Sequence, residues 1–390
     1  MTAHGNNRSV SDFPPRYRDL ATALGGNLRS NTSGCYCRLE TTADSFDQLG
    51  RIELGSLLAT GSFPLAAFTL EDTPGQTHVG DLLFVDTETT GLGGTGTVPF
   101  LIGCGRLKED RFEIRQYLLP DYSDETALLE DLLTEFSPDT ALVTYNGAAF
   151  DLPLLRDRFV INRVARTVPF GAHLDLLHSS RRLFKRRIRD CSLVNVEREV
   201  FGHARHEDIP GYLIPSVYFE WLNQQETSNL RLVLEHNRQD ILTLFYLCHQ
   251  IAAAFESEGR SLDEIDDLHS LSRVFGRRNQ TAKSITIFDR MEGEGERELS
   301  ADILLYHSFI LKRSRDWPRA CAIWQVLSDR PGREGYWASV ELAKHFEHRE
   351  SDIGRARAYA RRALELCPYG EEHRSQLNRR LERLSGKRAR

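Results

Sequence analysis

The run Leu82-Leu83-Phe84-Val85-Asp86-Thr87-Glu88-Thr89-Thr90-Gly91 constrains this chain more than any other stretch, because an apolar segment leads directly into two carboxylates two positions apart. Side chains at i and i+2 of a strand share a face, so a strand through Leu82–Asp86 aims Asp86 and Glu88 at one spot. Two such charges at roughly 5 Å repel by about 1 kcal/mol in water and by several times that in a partly dry cleft. The pair therefore implies a bound cation or a retained proton, and an all-oxygen ligand set suits Mg²⁺ or Mn²⁺.

Composition bounds the rest. With 390 residues, 40% hydrophobic and 27% charged, the chain can bury a core and has room for more than one domain. A net charge of −6 means that a polyanion would have to be met by a local basic patch or by metal. No apolar run approaches the roughly 20 residues of a membrane span. The polar opening MTAHGNNRSVSD lacks the apolar segment of a secretory signal. The expectation is a cytoplasmic protein without a membrane partner. Seven scattered cysteines, of which only Cys35 and Cys37 are close, read as ordinary thiols of a reducing compartment.

Residues 1–35, rich in Asn, Ser, Gly and Arg, are expected to form a flexible segment. Residues 36–79 carry short apolar runs broken by Gly55, Gly61 and Pro64, and read as an extension packed on the domain after it. From 80 to 256 the rhythm is α/β: strands over 82–86, 98–107, 111–118, 141–145 and, briefly, 173–177. Leu128, Leu129, Leu132, Leu133 and Phe136 give one helix an apolar face, and a long helix covers 229–255. The fold expected is a mixed five-stranded sheet flanked by helices.

The glycine-rich turn over 91–97 lacks the Gly-Lys-Ser/Thr of a P-loop. Thr89, Thr90, Gly91 and Leu92 are instead expected beside substrate, some of them through backbone N–H groups. Asn146, Phe150 and Asp151 fall at a strand-to-helix junction, a common address for functional side chains in α/β folds. His173 and Asp175 could be ligands, but read first as a structural polar pair. Residues 181–189 hold six basic residues in nine with Leu183, Phe184 and Ile188 interleaved. A charge run of this kind is commonly a solvated face, but the interleaved apolar residues suggest an anchored segment that is expected to turn Lys185, Arg186 and Arg187 toward phosphates. On the long helix His236 and Asp240 are four apart and share a face.

Beyond 256 the strand pattern ends and amphipathic helices repeat. Asp316-Trp317-Pro318-Arg319-Ala320 returns 36 residues later as Asp352-Ile353-Gly354-Arg355-Ala356, and Ala356, Ala360, Ala363 and Pro368 sit at the spacings of a tetratricopeptide unit. Residues 265–390 are thus expected to be an all-α tetratricopeptide-like domain that docks a protein partner or extends a substrate path.

Asp86 with Glu88, then Asp151, then His236 with Asp240, together resemble the DEDD exonuclease superfamily. The stretches FVDTETTGLGGTGTVPFLIG, TYNGAAFDLPLL and HNRQDI are similar to the YprB-type ribonuclease-H-like family, which carries tetratricopeptide-like helices behind its nuclease domain. The resemblance implies a ribonuclease-H-like fold and a 3′→5′ exonuclease using two divalent cations, Mg²⁺ or Mn²⁺, on a DNA or RNA end, DNA ahead of RNA, in repair or processing. It implies that Asp86 bridges both ions, that Glu88 and Asp240 complete the site of the attacking water, that Asp151 serves the second ion, and that His236 is the general base. One departure stands out: His-bearing members place the base five residues before the last Asp, whereas His236 takes the four-residue spacing of the tyrosine class. A structure-selective endonuclease on the same fold and a non-catalytic adaptor are the rival expectations, and four intact acids speak against the adaptor.

Overall fold

The apolar run at Leu82 becomes an interior strand of a mixed sheet. The computed structural model describes residues 13–43, 48–58, 61–69, 73–91, 94, 96–109, 111–293 and 298–386, in two units, Met1–Ser257 and Glu258–Arg390. The sheet of the first unit comprises β1 (Asn27–Asn31), β2 (Gly34–Ala43), β3 (Leu82–Thr89), β4 (Pro99–Lys108), β5 (Arg111–Leu118), β6 (Ala141–Thr144) and β7 (Ala172–Asp175). Its order is β1-β2-β5-β4-β3-β6-β7. Pairing is antiparallel from β1 to β3 and parallel from β3 through β6 to β7. The main helices are α1 (Pro15–Leu24), α2 (Glu125–Leu132), α3 (Asp151–Ile161), α4 (Leu176–Phe184), α5 (Ile214–Gln224) and α6 (Leu230–Glu256).

Seven strands stand where five were expected. The two extra ones come from the segment read as loose and from the start of the extension. Asn31 pairs with Gly34 across a two-residue hairpin, and the Asn31 side chain accepts the Ser33 N–H at 2.9 Å. β2 then lies along β5 from Cys37 opposite Leu118 to Ala43 opposite Phe112. Ahead of the hairpin, α1 buries Tyr17, Leu20 and Ala21 and closes on Gly25 at φ 72°, where the missing Cβ permits a left-handed turn. The buried Asp124 fixes both pieces, accepting the Tyr17 hydroxyl at 2.8 Å and the Cys35 N–H at 2.9 Å. Residues 1–12 of the expected flexible segment lie outside the described residues.

The two faces of β3 do different work. Leu83 and Val85 join one core with Leu128, Leu155, Phe159 and Trp221 from the helices. Phe84, on the other face, meets the rings of Phe112 and of Phe245 on α6 at 5.5 and 5.6 Å. Burying a phenylalanine contributes about 1.5–3 kcal/mol, so this aromatic trio clamps α6 against the sheet. Close approach needs glycine on β4: a Cβ at Gly105 would stand 2.5 Å from Ile241 Cγ2 and 2.6 Å from Phe112 Cζ.

The second unit is helical: Ile265–Arg277, Thr281–Gly293, Ala301–Arg313, Trp317–Ser328, Arg333–His348, Ile353–Leu366 and Glu371–Gly386. The sequence repeat has a physical counterpart. Asp316 accepts the N–H of Arg319 at 3.3 Å and Asp352 that of Arg355 at 2.9 Å, so each opens its helix as an N-cap. Ala320 and Ala356, at matching positions, are both fully buried. Among the described residues no helix is long and apolar enough to cross a membrane.

Gly105→Ala is expected to destabilise the protein by about 1–3 kcal/mol through overpacking between β4 and α6, read as a lower urea midpoint with the slope unchanged.

Candidate active site

The register of β3 against α6 builds the site. Residues 84, 86 and 88 share a strand face, so the face that seats Phe84 on Phe245 also carries Asp86 and Glu88 toward the start of the same helix. Asp86 Oδ2 accepts from Asn237 Nδ2 at 2.8 Å. Asn237 is fully buried, and its own carbonyl accepts from Gln116 of β5 at 2.9 Å, which forces the amide nitrogen toward Asp86. Next to it on the helix, His236 Nε2 lies 3.9 Å from Glu88 Oε1 and 3.7 Å from Asp240 Oδ2. His236 Nδ1 is 2.7 Å from Asp208 Oδ1. A carboxylate only accepts, so Nδ1 carries the proton and Nε2 points at the acids.

Asp151 opens α3 and accepts the hydroxyl of Thr87. The turn that delivers it is locked from behind. Asn146, at φ 64°, and Ala148 donate their N–H groups to Asp175 at 2.8 and 3.1 Å, and Leu177 adds a third donor at 3.1 Å. Asp175 is thereby spent on backbone, and His173 bonds the Thr144 hydroxyl at 2.9 Å, so this pair is structural.

Electrostatics registers the crowding. Burial, then Asp240, Glu88 and Asp151, push the Asp86 carboxyl well above its ordinary range. Burial and the charges of Asp240, Asp151 and Asp208 push Glu88 up to about 7, against the pull of His236. Asp151 is raised as well, chiefly by burial, with the Thr87 hydrogen bond opposing. Burial pulls His236 down, but Asp240, Glu88 and Asp208 more than offset it and its net shift is upward.

Among the described residues no three His, Cys, Asp or Glu side chains form a ready-made metal cage. Three of the four acids lean on a protein partner instead: Asp86 on Asn237, Asp151 on Thr87, and Asp240 on Arg205. The donor chemistry still fits a hard divalent cation. Asp86, Glu88 and Asp151 are oxygen donors whose ionised forms burial and neighbouring carboxylates disfavour, a cost that a bound cation would relieve.

A cleft of about 520 Å³ opens beside the acids, lined by Asp86, Thr89, Gly91, Asn146, Phe150 and Asp151 among others. Phe150 is 57% exposed on the wall of this cleft. Thr89 and Thr90 spend their hydroxyls on the turn, Thr89 donating to Gly91 O at 2.7 Å and Thr90 accepting the Val98 N–H at 3.0 Å. Leu92 lies outside the described residues. Lys185, Arg186 and Arg187 follow α4 and do not line this cleft. Lys185 and Arg186 are exposed, Phe184 and Ile188 anchor the segment, and Arg187 donates to Glu199 O at 2.8 Å.

Sequence reasoning missed four residues that the site uses: Glu197, Arg205, Asp208 and Asn237. Asn237 follows His236 directly and could have been found from its helical offset of three from Asp240. Arg205 and Asp208 fall in the polar run HARHED, which has no periodicity to single them out.

The sequence profile of the RNase_H superfamily matches residues 83–252, the span that holds all of these groups except the N-terminal strands. A Bacillus subtilis (strain 168) protein, described as uncharacterized protein YprB, is 37% identical over 313 residues, covering 79% of this chain and 75% of that one. The chain belongs to this RNase_H superfamily family. The family B DNA polymerase of the hyperthermophilic archaeon Pyrobaculum calidifontis gives a slight likeness, with a TM-score of 0.35 and 18% identity over 52% of this chain and 29% of the polymerase. Superfamily membership points to nuclease-type chemistry on nucleic acid, for which these proteins typically use divalent cations.

Glu88 supplies a signed pH test. Its folded pKa of about 7 lies above the ordinary glutamate value, so its stabilising proton is fully held below about pH 4.3 and is lost as pH rises through 7. In chelator the wild type is expected to lose up to roughly 4 kcal/mol from this group between those limits, at about 1.4 kcal/mol per pKa unit. Glu88→Gln is expected to flatten that part of the profile, measured by urea denaturation from pH 4.5 to 8.

Proposed function

We propose that this protein is a 3′→5′ exonuclease of the DEDD type, releasing nucleoside monophosphates from a nucleic-acid end, with Asp86, Glu88, Asp151 and Asp240 as ligands of two divalent cations, Mg²⁺ or Mn²⁺. The observation that carries the reading is geometric: Asp86 and Asp151 line one cleft, and His236 Nε2 lies 3.9 Å from Glu88 and 3.7 Å from Asp240, so that acids from β3, α3 and α6 gather around the end of β3. Cations bound there would supply charge stabilisation for in-line displacement at phosphorus.

The chain's own residues do the rest. Asp208 holds Nδ1 of His236, leaving Nε2 to take the proton of the attacking water between Glu88 and Asp240. Phe150, exposed on the cleft wall, offers a stacking face to the terminal base, a contact worth about 1–3 kcal/mol. Lys185, Arg186 and Arg187 are read as phosphate contacts further along the strand. DNA is placed ahead of RNA on the family resemblance alone. We read the second unit as tetratricopeptide-like, on its capped 36-residue repeat, and as a platform for a protein partner.

The test is incubation of pure protein with 5′- and 3′-labelled DNA and RNA strands in Mg²⁺, Mn²⁺ and EDTA. Mononucleotides released from the 3′ end with metal are expected. Internal cuts on blocked ends would favour an endonuclease, and binding without cleavage an adaptor. Asp86→Asn and Asp240→Asn are expected to abolish hydrolysis with circular dichroism unchanged, and His236→Ala to lose on the order of 10²–10⁴ in single-turnover rate. Lys185→Ala with Arg186→Ala is expected to lower the salt slope of single-strand binding by roughly 0.7 per lost contact, and an unchanged slope would make the segment a solvated face.

A further inference from the structure

Arg205 is the cation that the acid site already owns. Its guanidinium is 5% exposed and grips Glu197, which is fully buried, through Nε to Oε2 at 2.6 Å and Nη2 to Oε1 at 2.5 Å. The Thr243 hydroxyl donates to the same Glu197 oxygen. From this clamp Nη2 also reaches Asp240 Oδ1, and Nη1 reaches Asp208 Oδ2 at 3.2 Å. One planar group thus touches the acid that closes the site and the acid that orients His236.

We propose that Arg205 is a positioning residue: held by Glu197, it pins Asp240 Oδ1 away from the cleft, presents Oδ2 to the cation, and steadies Asp208 behind His236. This rests on the reading that the acids bind a divalent cation.

The geometry argues for a fixed support over a placeholder that a metal ion displaces. Stripping one partner from a buried ion pair leaves the other charge unsolvated and costs several kcal/mol, so Arg205 cannot swing out without stranding Glu197. The planar fork matches a carboxylate on one edge while its remaining N–H groups stay directed. Asp240 Oδ2, the oxygen that Arg205 leaves alone, is the one 3.7 Å from His236 Nε2. Asp208 and Asp240 flank His236 at its two ring nitrogens, and Arg205 bonds both carboxylates. Arg205 therefore fixes the spacing in which the imidazole sits.

The test uses the full chain and two variants. Arg205→Met combined with Glu197→Gln removes the buried pair together, so that neither of its charges is stranded, and keeps an acceptor for Thr243. Arg205→Lys keeps the charge and loses the fork. Mn²⁺ binding is followed by electron paramagnetic resonance of the free ion, which needs no turnover, and kcat and KM are measured on a single-stranded oligonucleotide. For the paired variant, cooperative melting, a roughly 10–100-fold weaker Mn²⁺ affinity and a matching fall in kcat at unchanged KM are expected, with the lysine variant intermediate. A folded paired variant with wild-type Mn²⁺ affinity and kcat would reduce Arg205 to a structural clamp. Tighter Mn²⁺ binding would make it a competitor of the metal. Either result overturns the proposal. Should the paired variant not fold, Arg205→Lys decides alone: wild-type affinity and kcat would sink the idea. No Mn²⁺ uptake by the wild type would instead overturn the metal-site reading itself, and this inference with it.

Discussion

Everything in the first unit depends on pressing the even face of β3 onto the long helix. Phe84 supplies the apolar part of that contact and Asp86 and Glu88 the polar part, along one strand edge. The aromatic burial offsets the cost of holding carboxylates in a partly dry pocket. The clamp and the site are one contact at two heights. Loosening Phe84, Phe112 and Phe245 would let the acids drift apart.

The polar half of the contact carries its own supports. Gln116 orients Asn237, Asn237 meets Asp86, and three backbone N–H groups on Asp175 lock the turn that ends in Asp151. None of these supports faces the cleft with a reactive group. They fix side chains whose own charges would otherwise drive them toward solvent. This is how a protein keeps several carboxylates in place without letting each collapse onto the nearest cation.

Much of this was legible in the sequence and some was not, for identifiable reasons. Asp86 and Glu88 could be read because strand alternation alone puts them on one face, and His236 with Asp240 because helical spacing does. The hairpin of β1 and β2 was missed because polar Asn, Ser and Thr around Leu28 and Arg29 mask a weak alternation, although Asn31-Thr32-Ser33-Gly34 is a turn signal between Leu28 and Tyr36. Arg205, Glu197 and Asp208 had no local pattern at all. Their importance comes from tertiary distance: Arg205 and Asp240 are 35 positions apart and touch only after α6 has docked. The basic run at 185–187 was legible as an anchored charged segment, but periodicity could not tell that it lies off the main cleft.

The sequence separation of the acids has a kinetic meaning. Asp86 and Asn237 stand 151 positions apart, so the pocket exists only once non-local pairing is complete, and such contacts form late in folding. A nascent or partly folded chain carries the acids but not the geometry. The same property makes the occupied pocket a reporter of global folding, since any ligand that needs all three segments at once stabilises the finished state and no earlier one.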